Sequence, residues 1–203
     1  QMISNVNLIG AGEDLTILDA EQTHRVITME NCENNIISDL KITGGQADED
    51  YPDNNGGGMR LSSSNLTLNN VNILDNIANG SGSGMALGSS NPILTNVTIS
   101  NNTGVGGGGG MYLFESNPTL TNVNISNNTA IDGGGGGISL LYSNATILNM
   151  HISNNLCQAG FFGGGGMYIG SSSPILQNVT ISNNTANNGG GIYIFGSPIT
   201  PIL

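Results

Sequence analysis

A heptapeptide that returns five times along the chain constrains the fold more than any other feature of the sequence. Its first copy is NVNILDN and its second is NVTISNN, and the copies begin at Asn70, Asn96, Asn122, Asn149 and Asn178, in steps of 26, 26, 27 and 29 residues. A glycine-rich segment followed by an apolar–x–apolar triplet recurs in the same order, as in GGGMYL at 108–113, and a third short segment such as NPIL at 91–94 precedes each heptapeptide. Each repeat therefore holds three short segments in which apolar and polar residues alternate.

This repeat predicts an all-β fold, a right-handed parallel β-helix of about seven rungs with three short strands in each. Glycine runs and Asn-Pro pairs break helices, whereas β-branched residues favour strands. A constant period is typical of a solenoid, in which neighbouring rungs stack at about 4.8 Å. We expect one domain over 1–203, with charged N-terminal rungs and an acidic loop at 47–56 in residues 1–60, and regular Asn/Gly-rich repeats over 61–203. The final segment, 197–203, restarts the motif, so we expect the chain to be part of a longer solenoid.

The alternation within each segment predicts which side chains face the interior. In the second heptapeptide, Val97 and Ile99 are expected to point inward, and Thr98 and Ser100 outward. In the glycine-rich segment the outward positions form a column, which contains Arg60, Ala86, Tyr112, Tyr168 and Tyr193. The closing asparagines are expected to meet at one corner, where their amides can hydrogen-bond along the stack; they are Asn102, Asn128, Asn155 and Asn184.

Composition and charge exclude two classes of function. The formal net charge is −11, from 14 acidic and three basic residues, and the chain has no cluster of Lys or Arg that could neutralise phosphates. We therefore expect no nucleic-acid partner. No apolar run approaches the roughly 20 residues of a membrane-spanning helix. All three bases and eleven of the 14 acids lie in 1–60, so any site that needs charged groups is expected there.

The GGG(M/I)Y(L/I) and ISNN segments resemble those of the right-handed parallel β-helix superfamily, which includes pectate lyases, polygalacturonases and bacterial surface proteins. They are also similar to the GGA(I/L) and FxxN repeats of bacterial polymorphic outer-membrane proteins and related adhesins, with Ile or Leu in place of the phenylalanine. The resemblance covers nearly the whole chain and implies the fold and a secreted or cell-surface location. It does not select one function, because this scaffold carries lyases, hydrolases, adhesins and spacers alike.

An enzymatic alternative follows from the resemblance to the lyases. Those enzymes use a Lys or Arg base and often Ca²⁺, so Lys41 and Arg60 become the candidate catalytic residues. The acidic loop would supply the Ca²⁺ ligands Asp48, Asp50 and Asp53. Acidic loops are also commonly just solvated, and both interpretations of this loop stay open.

A binding interpretation rests on the tyrosine column. The rings of Tyr112, Tyr168 and Tyr193 could contact sugars while neighbouring Asn, Ser and Thr side chains hydrogen-bond hydroxyl groups. We favour a non-catalytic extracellular scaffold, adhesin or glycan-contacting module, whose partners would be polysaccharide or a host or neighbouring cell surface. Its rods could also associate end to end into homo-oligomeric stalks or filaments. The alternative is a polysaccharide lyase or glycoside hydrolase.

Overall fold

The computed structural model describes residues 1–50, 52–160 and 163–196, which form β-strands joined by turns. The motif restart at 197–203 lies outside these residues, and so does Tyr51 within the acidic loop. Over the described ranges, no helix has the length and hydropathy that crossing a membrane requires.

Three parallel sheets run the length of the molecule. The heptapeptide sheet contains β1 (Leu8–Ile9), β2 (Ile17–Asp19), β4 (Asn35–Thr43), β7 (Leu66–Leu74), β10 (Ile93–Ser100), β13 (Thr119–Ser126), β16 (Thr146–Leu148), β17 (His151–Ser153), β20 (Ile175–Gln177) and β21 (Thr180–Ser182). The glycine-run sheet contains β3 (Ile27–Glu30), β6 (Met59–Ser62), β9 (Met85–Gly88), β12 (Met111–Phe114), β15 (Ile138–Leu141), β19 (Met167–Gly170) and β23 (Ile192–Phe195). The short-strand sheet contains β5 (Gln46–Ala47), β8 (Ile77–Ala78), β11 (Thr103–Gly104), β14 (Thr129–Ala130), β18 (Leu156–Cys157) and β22 (Thr185–Ala186).

The register between rungs follows the sequence repeat and confirms the predicted solenoid. Val97 pairs with Val71 on one side and with Val123 on the other, so each heptapeptide lies directly over the next. The seven strands of the glycine-run sheet mark about seven turns. Equivalent residues therefore form columns along the axis, and one substitution changes a column at a single rung.

The strands are divided differently from the three predicted segments. The segment before the heptapeptide and most of the heptapeptide form one long strand in β7, β10 and β13, and β4 is a long strand of the same kind in the preceding rung. An asparagine with positive φ bends that strand, as at Asn70 (φ 53°) and Asn96 (φ 54°). The third strand of each rung is a two-residue element that follows the heptapeptide, such as Ile77–Ala78. Asparagine adopts this left-handed conformation more readily than most residues, so the chain turns without leaving the sheet.

A single apolar interior fills the solenoid, as the alternation predicts. Val97 is 1 % exposed and Ile99 is fully buried, while Thr98 and Ser100 on the same strand are partly exposed. The corner asparagines are buried with the apolar side chains and form a continuous ladder. In it, the side-chain amide of Asn102 donates to Oδ1 of Asn128 at 2.9 Å, and Asn128 donates to Asn155 at 3.0 Å. The predicted corner stack is confirmed, and it begins one rung earlier than expected, at Asn76.

Candidate functional site

The outward face of the glycine-run sheet carries a groove of about 440 Å³. Ala86 lies at its floor, between Arg60 on β6 and Tyr112 on β12, with which it is paired in register. We call this site the Ala86 groove. Its lining combines an aromatic ring, a guanidinium group and amides, which are the side-chain types that contact sugars.

The groove exists because β9 carries smaller residues than the two strands on either side of it. In the outward column Ala86 separates Arg60 from Tyr112, and in the next column Gly88 separates Ser62 from Phe114. A methyl group added at Gly88 would meet no atom closer than the carbonyl oxygen of Leu61, at 3.9 Å. The floor of the groove is therefore open space, and the two flanking rungs form its ends.

The acidic loop forms the side wall of the groove. Pro52, Asn54 and Asn55 line it on this side, where they meet Gly80 and Ser81 of the next rung. The backbone N–H of Ser81 donates to Oδ1 of Asn55, which ties the loop to that rung. The loop lengthens its rung, since 31 residues separate Asp39 from Asn70 rather than 26, and that extra length makes the wall.

Arg25 holds the C-terminal end of the acidic loop through hydrogen bonds to its main chain. Its guanidinium donates to the carbonyl oxygens of Asp53, Asn55 and Gly56, at 2.9 Å for the latter two. It also donates to the hydroxyl of Thr28 at 3.1 Å. Burial lowers the pKa of Arg25, and the nearby Arg60 lowers it further, against the pull of the neighbouring carboxylates. Because a guanidinium stays charged even so, Arg25 acts as a permanent clamp for the loop.

Arg60 enters the groove already paired with carboxylates. Its Nη1 lies 2.8 Å from Oε1 of Glu30 and 3.4 Å from Oδ1 of Asp53. The Arg60 side chain is only 12 % exposed, whereas those of Glu30 and Asp53 are 43 % and 49 % exposed. The cation is thus covered and the anions are at the surface.

Of the three predicted tyrosines, only Tyr112 lines the groove. Tyr168 and Tyr193 lie further along the same outward column and stack on each other, with ring centroids 5.8 Å apart and planes 12° apart. Burial raises the pKa of Tyr168, and the neighbouring Tyr193 and Tyr142 raise it further. One face of each ring is therefore covered by the other ring. A role for Tyr168 and Tyr193 in binding stays a prediction.

The two predicted catalytic residues are not brought together. Lys41 projects from the heptapeptide sheet, where its strand pairs with β2 and β7, while Arg60 projects from the glycine-run sheet. Nζ of Lys41 lies 3.5 Å from Oδ1 of Asp14. The structure thus forms no single site that uses Lys41 and Arg60 jointly.

The predicted Ca²⁺ ligands lie beside the groove. Asp48 and Asp53 line a second cavity of about 160 Å³, in which Arg25 and His24 also lie. Within the part of the chain that the structure describes, no three His, Cys, Asp or Glu side chains are grouped so that they could hold a metal ion. A guanidinium already occupies the position next to Asp53, and Ca²⁺ binding by Asp48, Asp50 and Asp53 stays a prediction without further support.

Comparison with protein families gives a match to the model of the right-handed β-helix region over residues 6–199. The chain belongs to the right-handed β-helix family. No curated protein and no solved structure gave a significant match. Membership of this family establishes the scaffold and does not select a function.

The sequence pattern identified Arg60 and Tyr112 as separate candidates and did not predict that both line one groove. It did not identify Ala86 and Gly88 as a floor, Asn54 and Asn55 as a wall, or Arg25 as the clamp. The signal was present in part, since Ala86 interrupts a column of large outward residues. The position of the wall depends on how the long loop folds back, and no local pattern encodes that.

Proposed function

We propose that this β-helix is a non-catalytic extracellular or cell-surface module that contacts glycans through the Ala86 groove. One observation carries the proposal: a groove of about 440 Å³ places Tyr112, Arg60 and the amides of the loop around one open floor. Aromatic rings pack against the apolar face of a sugar, and amides and guanidinium groups bond its hydroxyls. The rest of the rod would serve as a rigid scaffold that presents this groove.

The charged groups favour binding over catalysis. A lyase of the kind suggested by the resemblance needs a base that can reach the proton beside a uronate carboxylate. Arg60, the cation in the groove, is mostly covered and held by Glu30 and Asp53, and Lys41 projects from another sheet. Each of the two side chains is therefore paired with carboxylates of the protein, and the two do not face one substrate-binding site.

The extracellular location and the partner are part of the proposal. A surface built from Asn, Ser, Thr and Gly, with 8 % charged residues, suits a protein whose contacts are with hydroxyl-rich polymers. The similarity of its repeats to those of surface proteins supports the same assignment. End-to-end association into a stalk is a further proposal, which sedimentation velocity of this chain at high concentration would test.

A polysaccharide panel with groove variants tests the proposal. Ala86→Tyr fills the floor with a ring, and we expect it to abolish binding to any glycan that the wild type retains in affinity electrophoresis. Tyr112→Ala removes a central contact, and we expect it to weaken binding by about tenfold, as for truncation of a buried aromatic anchor.

Two matched variants control for the fold and for the presence of tyrosine. Thr98→Tyr adds the same ring on the heptapeptide sheet, and Tyr193→Ala removes a tyrosine from the same column outside the groove. Both are expected to bind as the wild type does. Equal losses in Tyr112→Ala and Tyr193→Ala would contradict a site confined to the groove.

The enzymatic alternative is measured with the same polymers. Unsaturated products and new reducing ends are followed with Ca²⁺ and with chelator, in the wild type and in Lys41→Ala/Arg60→Ala. We expect no product from any polymer. Product that forms with the wild type and is lost in the double variant would replace the binding module with an enzyme.

A further inference from the structure

We infer that the Ala86 groove selects neutral glycan chains and discriminates against polyuronates and other polyanionic glycans. The inference rests on the proposed function and adds the chemical class of the ligand. It is decided by how the charges around the groove are arranged.

Two carboxylates pair with the guanidinium that lines the groove, so negative charge is in excess around it. Glu30 and Asp53 both contact Nη1 of Arg60, so this cluster carries one positive and two negative charges. The Glu30 and Asp53 side chains are each more than three times as exposed as the Arg60 side chain. A ligand carboxylate that approaches Arg60 therefore meets two like charges first, and such a juxtaposition is unfavourable.

The second guanidinium near the groove is committed to the protein. Arg25 donates to three carbonyl oxygens and one hydroxyl at the base of the loop. Those bonds hold the wall of the groove, so diverting Arg25 to a ligand would release the wall. Arg25 therefore adds one positive charge near the site, which the neighbouring Glu49 offsets, but no free ion pair for an anionic sugar.

The rest of the chain does not offset this local balance. Residues 61–203 contain no Lys or Arg and three acids, and the whole chain has a net charge of −11. Charges are screened over about 8 Å at physiological ionic strength, so the electrostatic potential in the groove is set by its own cluster and its nearest rungs.

Hydroxyl groups of a neutral sugar avoid this repulsion. They can accept from the guanidinium and from the Asn54 and Asn55 amides, and they can donate to carboxylates and carbonyls.

Polymer pairs in which the carboxylate is replaced by a neutral group test the inference. The probes are polygalacturonan against its methyl ester, and alginate against its carboxyl-reduced form, together with the neutral members of the panel. For the wild type at low salt we expect each neutral form to bind about tenfold or more tightly than its acidic partner, because the acid is repelled by Glu30 and Asp53. The ratio is expected to shrink as salt rises.

A charge variant locates the cause of the discrimination. Glu30→Gln/Asp53→Asn removes both carboxylates and keeps the main-chain carbonyl of Asp53 that Arg25 binds. We expect it to gain affinity for the acidic polymers, so that the neutral-to-acidic ratio falls towards one. The matched control, Glu33→Gln/Asp75→Asn, removes two carboxylates other than the two that pair with Arg60, and its ratio is expected to match that of the wild type.

The outcomes separate this inference from the proposal on which it rests. Acidic polymers that bind as tightly as their neutral partners, and lose binding in Tyr112→Ala, would overturn the inference and leave the glycan-contacting groove in place. A ratio that changes equally in both double variants would also overturn it, since net charge would then be the cause. Failure of every polymer, neutral and acidic, would overturn the proposed function itself.

Discussion

At the residue scale, the buried asparagines decide whether the rungs stay in register. Oδ1 of Asn128 accepts from the backbone N–H of Asn102 at 3.0 Å and from its side-chain amide at 2.9 Å. The Asn128 amide in turn donates to the carbonyl of Ile99 and to Oδ1 of Asn155, each at 3.0 Å. One fully buried side chain thus satisfies polar groups of the rung before it and the rung after it.

Removal of one ladder amide is expected to destabilise the protein strongly. Asn128→Ala leaves a buried N–H, an amide and a carbonyl without their partner, and each such group costs about 1–3 kcal/mol. With partial relaxation we expect a loss of about 3 kcal/mol in the free energy of unfolding, measured with urea. The control is Asn124→Ala on the preceding strand β13, where Asn124 faces outward, and it should change that free energy by less than about 0.5 kcal/mol. Equal losses in the two variants would contradict a special role for the ladder.

Asp39 gives one outer ladder a dependence on pH. A second row of asparagines runs along the bends of the heptapeptide sheet, and at its first position Asp39, with φ of 57°, accepts from the Asn70 amide at 2.9 Å. This hydrogen bond, with a second one from Ser38, holds the pKa of Asp39 below its ordinary value of 3.8. Because the folded pKa is the lower one, the stabilisation is present above pH 3.8 and is lost as pH falls through the folded pKa.

Replacement of Asp39 by asparagine should remove that dependence. Asp39→Asn keeps an acceptor for Asn70 and cannot be protonated, so acidification from about pH 5 to about pH 2 should cost it less thermal stability than the wild type. The measurement is the difference in melting temperature between the two proteins along a pH series. Asp75→Asn, another exposed turn position with positive φ, is the control. A difference that stays constant over the whole series would contradict this assignment.

At the scale of elements, the glycine runs let two sheets approach the asparagine corner. A Cβ at Gly110 would lie 2.8 Å from the carbonyl oxygen of Gly137 and 2.9 Å from Nδ2 of Asn128. Neither Gly110 nor Gly88 has a left-handed backbone, so space and not conformation distinguishes them.

Two alanine substitutions separate these causes. Gly110→Ala is expected to lower the free energy of unfolding by about 1–3 kcal/mol, because backbone and ladder must shift to admit the methyl group. Gly88→Ala meets open space and should be neutral or slightly stabilising, since alanine restricts the unfolded chain. Chemical denaturation of the two variants is the measurement, and a larger loss at Gly88 would show that the groove floor is not open.

The elements also show what could be predicted from sequence. The period, the parallel stacking and the inward faces follow from residues that repeat, so Val97, Ile99 and the ladder asparagines could be assigned from the sequence alone. The merging of two segments into one strand could not be predicted. Asn96, with its left-handed backbone, bends the strand, whereas the sequence around it would be expected to end the strand there. The groove could not be predicted for a similar reason. Ala86 forms a groove floor only because larger side chains, Arg60 and Tyr112, occupy the same column on the two neighbouring rungs.

At the scale of the whole molecule, the apolar interior extends from Ile27 to Leu176, whereas the proposed site lies towards the N-terminal end. Arg25, the acidic loop and the groove lie within residues 25–114, and all three basic and eleven of the 14 acidic residues lie in 1–60. The later rungs repeat with few charges and are held by the ladders and the apolar interior. A site can therefore vary on one rung while the columns that stack the rungs are kept.

Such an array is quasi-one-dimensional, since each rung contacts only its neighbours, and a central defect should divide it. Asn128→Ala chiefly weakens the junction between the rungs of β10 and β13, because three of the four side-chain hydrogen bonds of Asn128 go to Asn102 and Ile99. Fewer rungs lie on the C-terminal side of that junction. We expect amides in β16–β21 to exchange about tenfold or more faster than in the wild type, and those in β6–β10 to change much less. Native-state hydrogen exchange read by mass spectrometry would measure both regions. Equal acceleration on the two sides would mean that the rod opens as one cooperative unit, and then a substitution in the regular repeats would weaken the distant groove as much as one beside it.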